Sequence, residues 1–516
     1  MKKLLYTFLI LTIAILWSSC RKDFVTIPSS GQLQFSKDTV FLDTVFTNIG
    51  SSTYNLKVYN RSDDDIRIPT IQLGEGENSR YRLNVDGLAG RVFEDVELLA
   101  NDSMFIFIET TLDINDFSNG NQFLYTDAIE FDSGSNQQKV ELVTLVQDAV
   151  FLYPQQFDDG TIETLLLGVN EEGNETRIEG FFLEDSELNW TNEKPYVIYG
   201  YAAVGQNQVL NIEAGARVHF HADSGLIVGN QGSLQVNGAL SMTEDLENEV
   251  IFEGDRLEPG FANVPGQWGT IWLTNGSTNN FINYATIKNA GVGILTENSD
   301  GTNNPTLTLN NSKIYNSANV GLLARTGFVS AENTVIGNSG QASLFCSLGG
   351  QYSFKHCTFA NYWTNSFRVF PTVLIDNLLD LGNGTVLSEP LDATFSNCII
   401  DGNNGIELLI EESTNDTLEY QFNNCLIKFD DFQNRFLNDP LYNFNNPEIF
   451  SANVFNLDPD FKNPTENEFQ IGPNSGAIGI GNPAIAGEVL NDVLGAPRNI
   501  VAPDAGAYNN TTFDDD

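Results

Sequence analysis

Six times in its second half the chain repeats one short line: an apolar residue, two or three others, an Asn, a small residue, any residue, and an aliphatic or aromatic one. Aligned on the last position, the copies centre on Ile287, Ile314, Ile336, Phe359, Ile400 and Ile427. Apart from one longer gap, they lie roughly 22 to 27 residues apart, the range of solenoid coils. Three residues before each anchor stand Tyr284, Asn311, Asn333, His356, Asn397 and Asn424; two before stand Ala285, Ser312, Thr334, Cys357, Cys398 and Cys425. A second run, Asn289, Asn316, Asn338 and Asn361, follows four of the anchors. Parallel strands stacked about 4.8 Å apart place like side chains over one another, so the Asn column is expected to hydrogen-bond along the stack and the small column to pack inward.

From Tyr201 to Tyr508 the pattern resembles a right-handed parallel β-helix, with Val209 to Phe220, Gly225 to Val228 and Gly232 to Val236 as its opening strands. Such a solenoid escapes the size limit of a single core, because each coil needs only its neighbours. The 516 residues include 44 Gly and 36 Phe and are 41% hydrophobic, which fits a β-rich chain with tight turns and not a disordered one. A net charge of −43 disfavours nucleic acid and anionic lipid as partners, since a nucleic-acid binder needs a basic surface, and no nucleic acid is expected. Calcium is the cation such carboxylates would take, although no D-x-D-x-D-G loop is present.

The N-terminus reads as an export signal. Met1-Lys2-Lys3 is basic, Leu4 to Trp17 is apolar, and Ser18-Ser19-Cys20 is a small-residue site ending in cysteine. This resembles a bacterial lipoprotein signal, which implies cleavage before Cys20, acylation of Cys20 and attachment to outer-membrane lipid. Trp17 departs from the Leu usual three places before that cysteine. Of the other cysteines, three share the small-residue column, so buried thiols are expected and not bridges. No C-x-x-C or Cys/His spacing suits zinc.

Between Leu33 and Ala149 short alternating runs such as Tyr54 to Tyr59, Met104 to Ile108 and Val140 to Val146 are separated by turn formers. They read as a small β-sandwich. It resembles the Ig-like modules of bacterial surface proteins, notably in Asn48 to Asn60 and the acidic turn that follows. The segments Gly254 to Leu273 and Lys355 to Trp363, with the cysteine-ended signal, resemble β-helix repeat lipoproteins of the Bacteroidetes type. That resemblance implies an envelope location but no particular activity.

The expected architecture is therefore all-β: a signal peptide (1–19), a tether (20–32), a β-sandwich (33–149), an acidic connector (150–200), the β-helix (201–457), a terminal coil and cap (458–510) and an acidic tail (511–516). The run from Asp458 through Tyr508 resembles the last coil of such solenoids, whose open strand edge needs a lid.

Fold alone cannot choose a chemistry. A lyase would need a Lys or Arg base; Lys288, Lys313, Arg325, Lys355 and Arg368 occupy different columns, and only Lys288 and Lys428 share one. A glycosidase would need two converging carboxylates, for which Asp430-Asp431, the one Asp-Asp pair within the coils, is the candidate. His219 and His221, near Asp223, lack a further ligand for a metal. No catalytic residue and no metal ligand is assigned. The long gap between Phe359 and Ile400 holds Tyr362, Trp363 and Arg368; with Trp268 and Trp272 these are the candidate ligand-binding residues, because aromatics on a wall beside a flat sheet can stack on sugar rings. The expected function is a lipid-anchored envelope protein that binds glycan or matrix or serves as a scaffold, with a polysaccharide lyase or related carbohydrate-active enzyme, such as a glycoside hydrolase, on an acidic glycan as the alternative. The acidic composition argues against a polyuronate substrate.

Overall fold

The computed structural model describes residues 25–116, 122–170, 173–382 and 384–513. Cys20 and the stretch expected to be a signal peptide lie outside the described residues, as does the end of the acidic tail. The chain divides into two compact units, Met1–Asp148 and Ala149–Asp516.

The first unit is a β-sandwich. One sheet pairs Gln122–Phe131 with Gln138–Gln147 and with Ile66–Leu73, and Thr39–Phe46 joins it in parallel beside Gln138–Gln147. The other pairs Tyr54–Tyr59 and Tyr81–Val85 with Ser103–Thr110, all antiparallel. Strand alternation, shifted by one residue between Ile68 and Ile71, turns Leu56, Val58, Ile106 and Ile108 of one sheet and Ile68, Ile71, Ile129 and Leu142 of the other into one core. The acidic turn is built by buried Asn60, whose amide donates to the carbonyls of Asp64, Leu98 and Leu99.

The second unit is a parallel β-helix. Its coils contribute strands in turn to three long sheets, of 11, 10 and 10 strands among the described residues. The first sheet carries the repeat anchors: Ile287, Ile314 and Ile336 stand in register, as do Ile336, Phe359, Ile400 and Ile427. All six are buried. The second sheet lines the core with Leu226, Ile271, Ile294, Leu322, Leu344, Val373 and Leu408. In the third, Phe354, Phe395, Phe422 and Phe450 stack along the axis at centroid spacings of 4.9, 4.7 and 5.5 Å. Cys357, Cys398 and Cys425 are buried free thiols, as their column requires.

The Asn column does more than ladder. Tyr284, Asn311, Asn333, His356, Asn397 and Asn424 all have positive φ, between 46° and 55°. Each makes the corner between the third sheet and the first in one left-handed residue, a conformation that Asn tolerates better than most. Amide bonds run from Asn333 to Asn311 (3.0 Å) and from Asn311 to Asn283 (2.9 Å), and the Asn397 amide meets His356 Nε2 at 2.9 Å. The ladder is otherwise interrupted: Asn424 donates instead to the Ile480 carbonyl, outside the coils.

Two expectations are corrected. The acidic stretch 150–200 is not a connector but the first coil: Val150–Leu152, Glu175–Phe182 and Asn189–Trp190 each pair in parallel with the next coil's strand in the three sheets. Its inward residues Phe181, Leu183 and Trp190 are buried. The solenoid period is hidden there by an antiparallel hairpin, Thr164–Val169 with Glu175–Phe182, and by acids that sit in exposed turns. Nor is the segment after Asp458 a terminal lid. It lies along the outer face of the first sheet, where Phe469, Val493, Ala507 and Tyr508 bury Val335 and Ala360, while Ile471, Ala477 and Ala505 bury Ile399 and Leu426. The physical reason is in the strands themselves: residues alternating with the anchors are apolar on these coils and need cover. The end of the stack is closed instead by rings of the preceding loop, with Phe444 packed against Phe429, Phe450 and Phe455.

Candidate functional site

Strand alternation and ion pairing dispose of most of the candidates read from sequence. Trp268 is 2% exposed, stacks on Phe220 at 4.4 Å and donates Nε1–H to the Lys288 carbonyl. Trp363 is 7% exposed and donates to Ser366 Oγ. Trp272 is half-buried on the outer face of the second sheet, tied to Glu297 Oε2 at 3.0 Å. The three indoles do not form an exposed row, so the expected sugar-stacking wall is not built from them. Tyr362 donates to Asp401 Oδ1 at 2.5 Å, and its ring meets Phe461 of the covering segment edge-on. Arg368 is buried and bonds to Glu407.

Four of the cations singled out from sequence are paired with carboxylates: Lys288 with Glu253 (2.8 Å), Lys313 with Glu249 (3.0 Å), Arg325 with Glu297 (3.1 Å) and Lys355 with Glu488 (2.7 Å) and Glu332 (3.2 Å). For Lys313 burial pulls the pKa down, but Tyr508 and Glu249 outweigh it and the ammonium is held above its ordinary value. Lys355 is likewise held high, burial being outweighed by its bonds to Glu488 and Glu332. A lyase base needs the opposite shift. His219 and His221 part company: burial drives the His219 pKa down, whereas the bond to Asp255 at 2.7 Å raises that of His221. Among the described residues no group of three or more His, Cys, Asp or Glu side chains is placed to hold a metal ion.

What the coils do assemble is a cleft of about 270 Å³ beside the last strands of the second sheet. Val369 and Pro371 of the 362–372 segment form one wall, Asn404, Gly405 and Ile406 a second, and the loop from Asp430 to Phe436 a third, with Leu409 on the sheet between them. The Asn404 amide donates to the Phe370 carbonyl at 3.0 Å, joining the first two walls. In the third, Asp431 is consumed by the turn it makes, accepting from the Arg435 and Phe436 amides at 2.9 and 2.7 Å. Asp430 is exposed, so the adjacent pair does not act as two converging carboxylates. Arg435 lies over the Phe436 ring at 5.2 Å. At the rim Phe432 is 78% exposed and Val369 75%, and nearby Phe367 is 90% exposed. The arrangement offers apolar and aromatic surface, amides and one carboxylate, without a general acid–base couple.

The sequence marks an insertion between Phe359 and Ile400, which the structure divides into the 362–372 segment and a hairpin of Leu378–Asp380 with Val386–Ser388, but it does not mark the cleft's third wall. Phe432 and Arg435 lie just past the last anchor, where the repeat ends; an exposed aromatic in a non-repeating stretch was the available signal.

No protein-family profile matches the sequence, and no curated protein matches it. Several solved structures are similar in part. The catalytic unit of a thermostable GH87 alpha-1,3-glucanase from Streptomyces thermodiastaticus strain HF3-3 aligns over 72% of this chain and 74% of its own, at 12% identity and a TM-score of 0.30. A family 123 glycoside hydrolase from Clostridium perfringens aligns over 23% of this chain and 29% of its own, at 7% identity and a TM-score of 0.16. The periplasmic chaperone SfaE aligns over 22% of this chain and 57% of its own, at 13% identity and a TM-score of 0.15. This chain thus spans less than two thirds of the last two.

Proposed function

We propose that the protein is an exported glycan-binding β-helix without catalytic turnover, and that the cleft between the 362–372 segment and the 430–436 loop takes a neutral glycan. The observation that carries this is the cleft's chemistry: an exposed Phe432 face for a sugar ring, amides of Asn404 and Gln433 for hydroxyls, and no second free carboxylate beside Asp430. The pairing of the coil cations supports the absence of a lyase step. The net charge of −43 favours a neutral over an acidic glycan. Anchoring through Cys20 in the outer membrane is part of the same proposal, supported by the basic start, the apolar stretch and the Ser18-Ser19-Cys20 site.

The test is titration calorimetry of the lipid-free protein against a panel of neutral and acidic oligosaccharides, with product analysis on the matching polysaccharides. Binding of a neutral glycan is expected, weakened roughly 3- to 10-fold in Phe432→Ala, the range of one lost stacking contact. Product formation, or binding indifferent to Phe432, would overturn the proposal.

A further inference from the structure

The segment Phe367-Arg368-Val369-Phe370 is inverted relative to ordinary packing. Its one charged residue is buried and its three apolar residues point outward, with Phe367 and Val369 almost wholly in solvent. Burying a guanidinium is unfavourable unless it is fully paired. Here the pairing is extensive: Arg368 Nη2 donates to Glu407 Oε1 at 2.6 Å, to Asn403 Oδ1 at 2.7 Å and to the Asn361 carbonyl at 2.9 Å. Nη1 donates to Glu407 Oε2 at 2.9 Å and to the Phe370 carbonyl at 2.7 Å.

Glu407 is the other half of the device. Beyond Arg368 it accepts from the Thr372 amide and hydroxyl, each at 2.8 Å, and from the Asn404 amide at 2.6 Å. Thr372 ends the segment that forms the first wall of the cleft, and Asn404 belongs to the second. One carboxylate therefore holds both walls, and one guanidinium holds that carboxylate. The backbone is shaped around it: a Cβ on Gly402 would stand 2.3 Å from Glu407 Oε1 and 2.6 Å from the Asn361 carbonyl.

We infer that Arg368 is the positioning residue of the cleft: with Glu407 it forms a buried hub that fixes the two walls against each other and holds Val369 and Pro371 in the first of them. The inference rests on the glycan-binding reading of the cleft. It assigns Arg368 a role without ligand contact. Lysine cannot replace it, because a single ammonium cannot reach two carboxylate oxygens and three further acceptors in one plane.

Amide exchange and affinity measured on the same preparations of the full lipid-free chain test this. Arg368→Lys is expected to speed exchange at both the Thr372 and Asn404 amides by about tenfold or more and to weaken neutral-glycan binding by a similar factor. Gly402→Ala, which disturbs the Glu407 carboxylate while leaving Arg368 in place, is expected to do the same. The paired substitution Arg368→Met with Glu407→Leu guards against simple misfolding: it should retain a cooperative thermal transition, yet leave both amides fast and affinity low. Unchanged exchange at either amide would overturn the hub. Faster exchange with unchanged affinity would overturn the positioning role. If the wild-type chain binds no glycan of the panel, the functional reading fails and the positioning role with it, while the two amides still decide whether the hub exists.

Discussion

The outer faces of the first and second sheets are built on the same coils and meet different fates. On the first, the residues alternating with the anchors include Val335, Ala360, Ile399 and Leu426, and all four are buried beneath the chain's own C-terminal segment. On the second, the outward column Trp272, Leu295, Leu323 and Phe345 runs in register from strand to strand and stays partly exposed; it continues through Leu374, which is buried, to Leu409, which is partly exposed again. The inward repeat is alike on both sides, so it specifies the coil and says nothing of what lies outside it. The cleft opens where the partly exposed column ends, at Leu409.

Removing the cover should produce the largest effect. A chain ending at Leu457 loses the burial of four outward apolar residues at about 1.5–3 kcal/mol for each large one, together with the bonds from Ala507 to Thr358 and from Gly506 to Asn397. Loss of cooperative unfolding by circular dichroism, with aggregation through the bared strip, is expected. A truncated chain that melts like the full one would mean that the cover contributes little.

Single substitutions sharpen the same contrast. Ile399→Ala, beneath the cover, should cost about 2–4 kcal/mol in urea unfolding, whereas Leu323→Ala on the partly exposed column should cost less than about 1 kcal/mol. Equal costs would erase the distinction between the two faces.

A pH measurement probes the covered face from within. Asp401 stands on its outer side, and burial holds its carboxyl up at about 6, against the lowering influence of Tyr362 and Lys428. The folded state therefore keeps a proton that the unfolded state releases near pH 4, so this group weakens the fold above pH 6 and the penalty fades as pH falls from about 6 to 4. Asp401→Asn should remove that slope, gaining at most about 3 kcal/mol at pH 7. An unchanged slope in the variant would show that Asp401 ionises freely in the folded chain.

What could be read from the chain follows the same division. The anchors Ile287 to Ile427 were legible because inward positions must repeat wherever strands stack, and the buried cysteine column was legible for the same reason. The Asn column was visible as composition, but its main work, a left-handed corner at each of six coils, is a backbone demand that side-chain chemistry only hints at. The cover could not be placed, since Phe469 and Tyr508 carry no period of their own and meet partners more than a hundred residues away. The cleft was half legible: the gap after Phe359 marked the insertion, yet Arg368 read as a ligand contact, because sequence does not show that its neighbours point out and it points in.

The most direct test of the account is a single calorimetric series, wild type beside Phe432→Ala, titrated with neutral oligosaccharides while products are monitored. Saturable binding without product, weakened by the substitution, is the predicted result. Release of sugar products, or saturable binding that ignores Phe432, would contradict it.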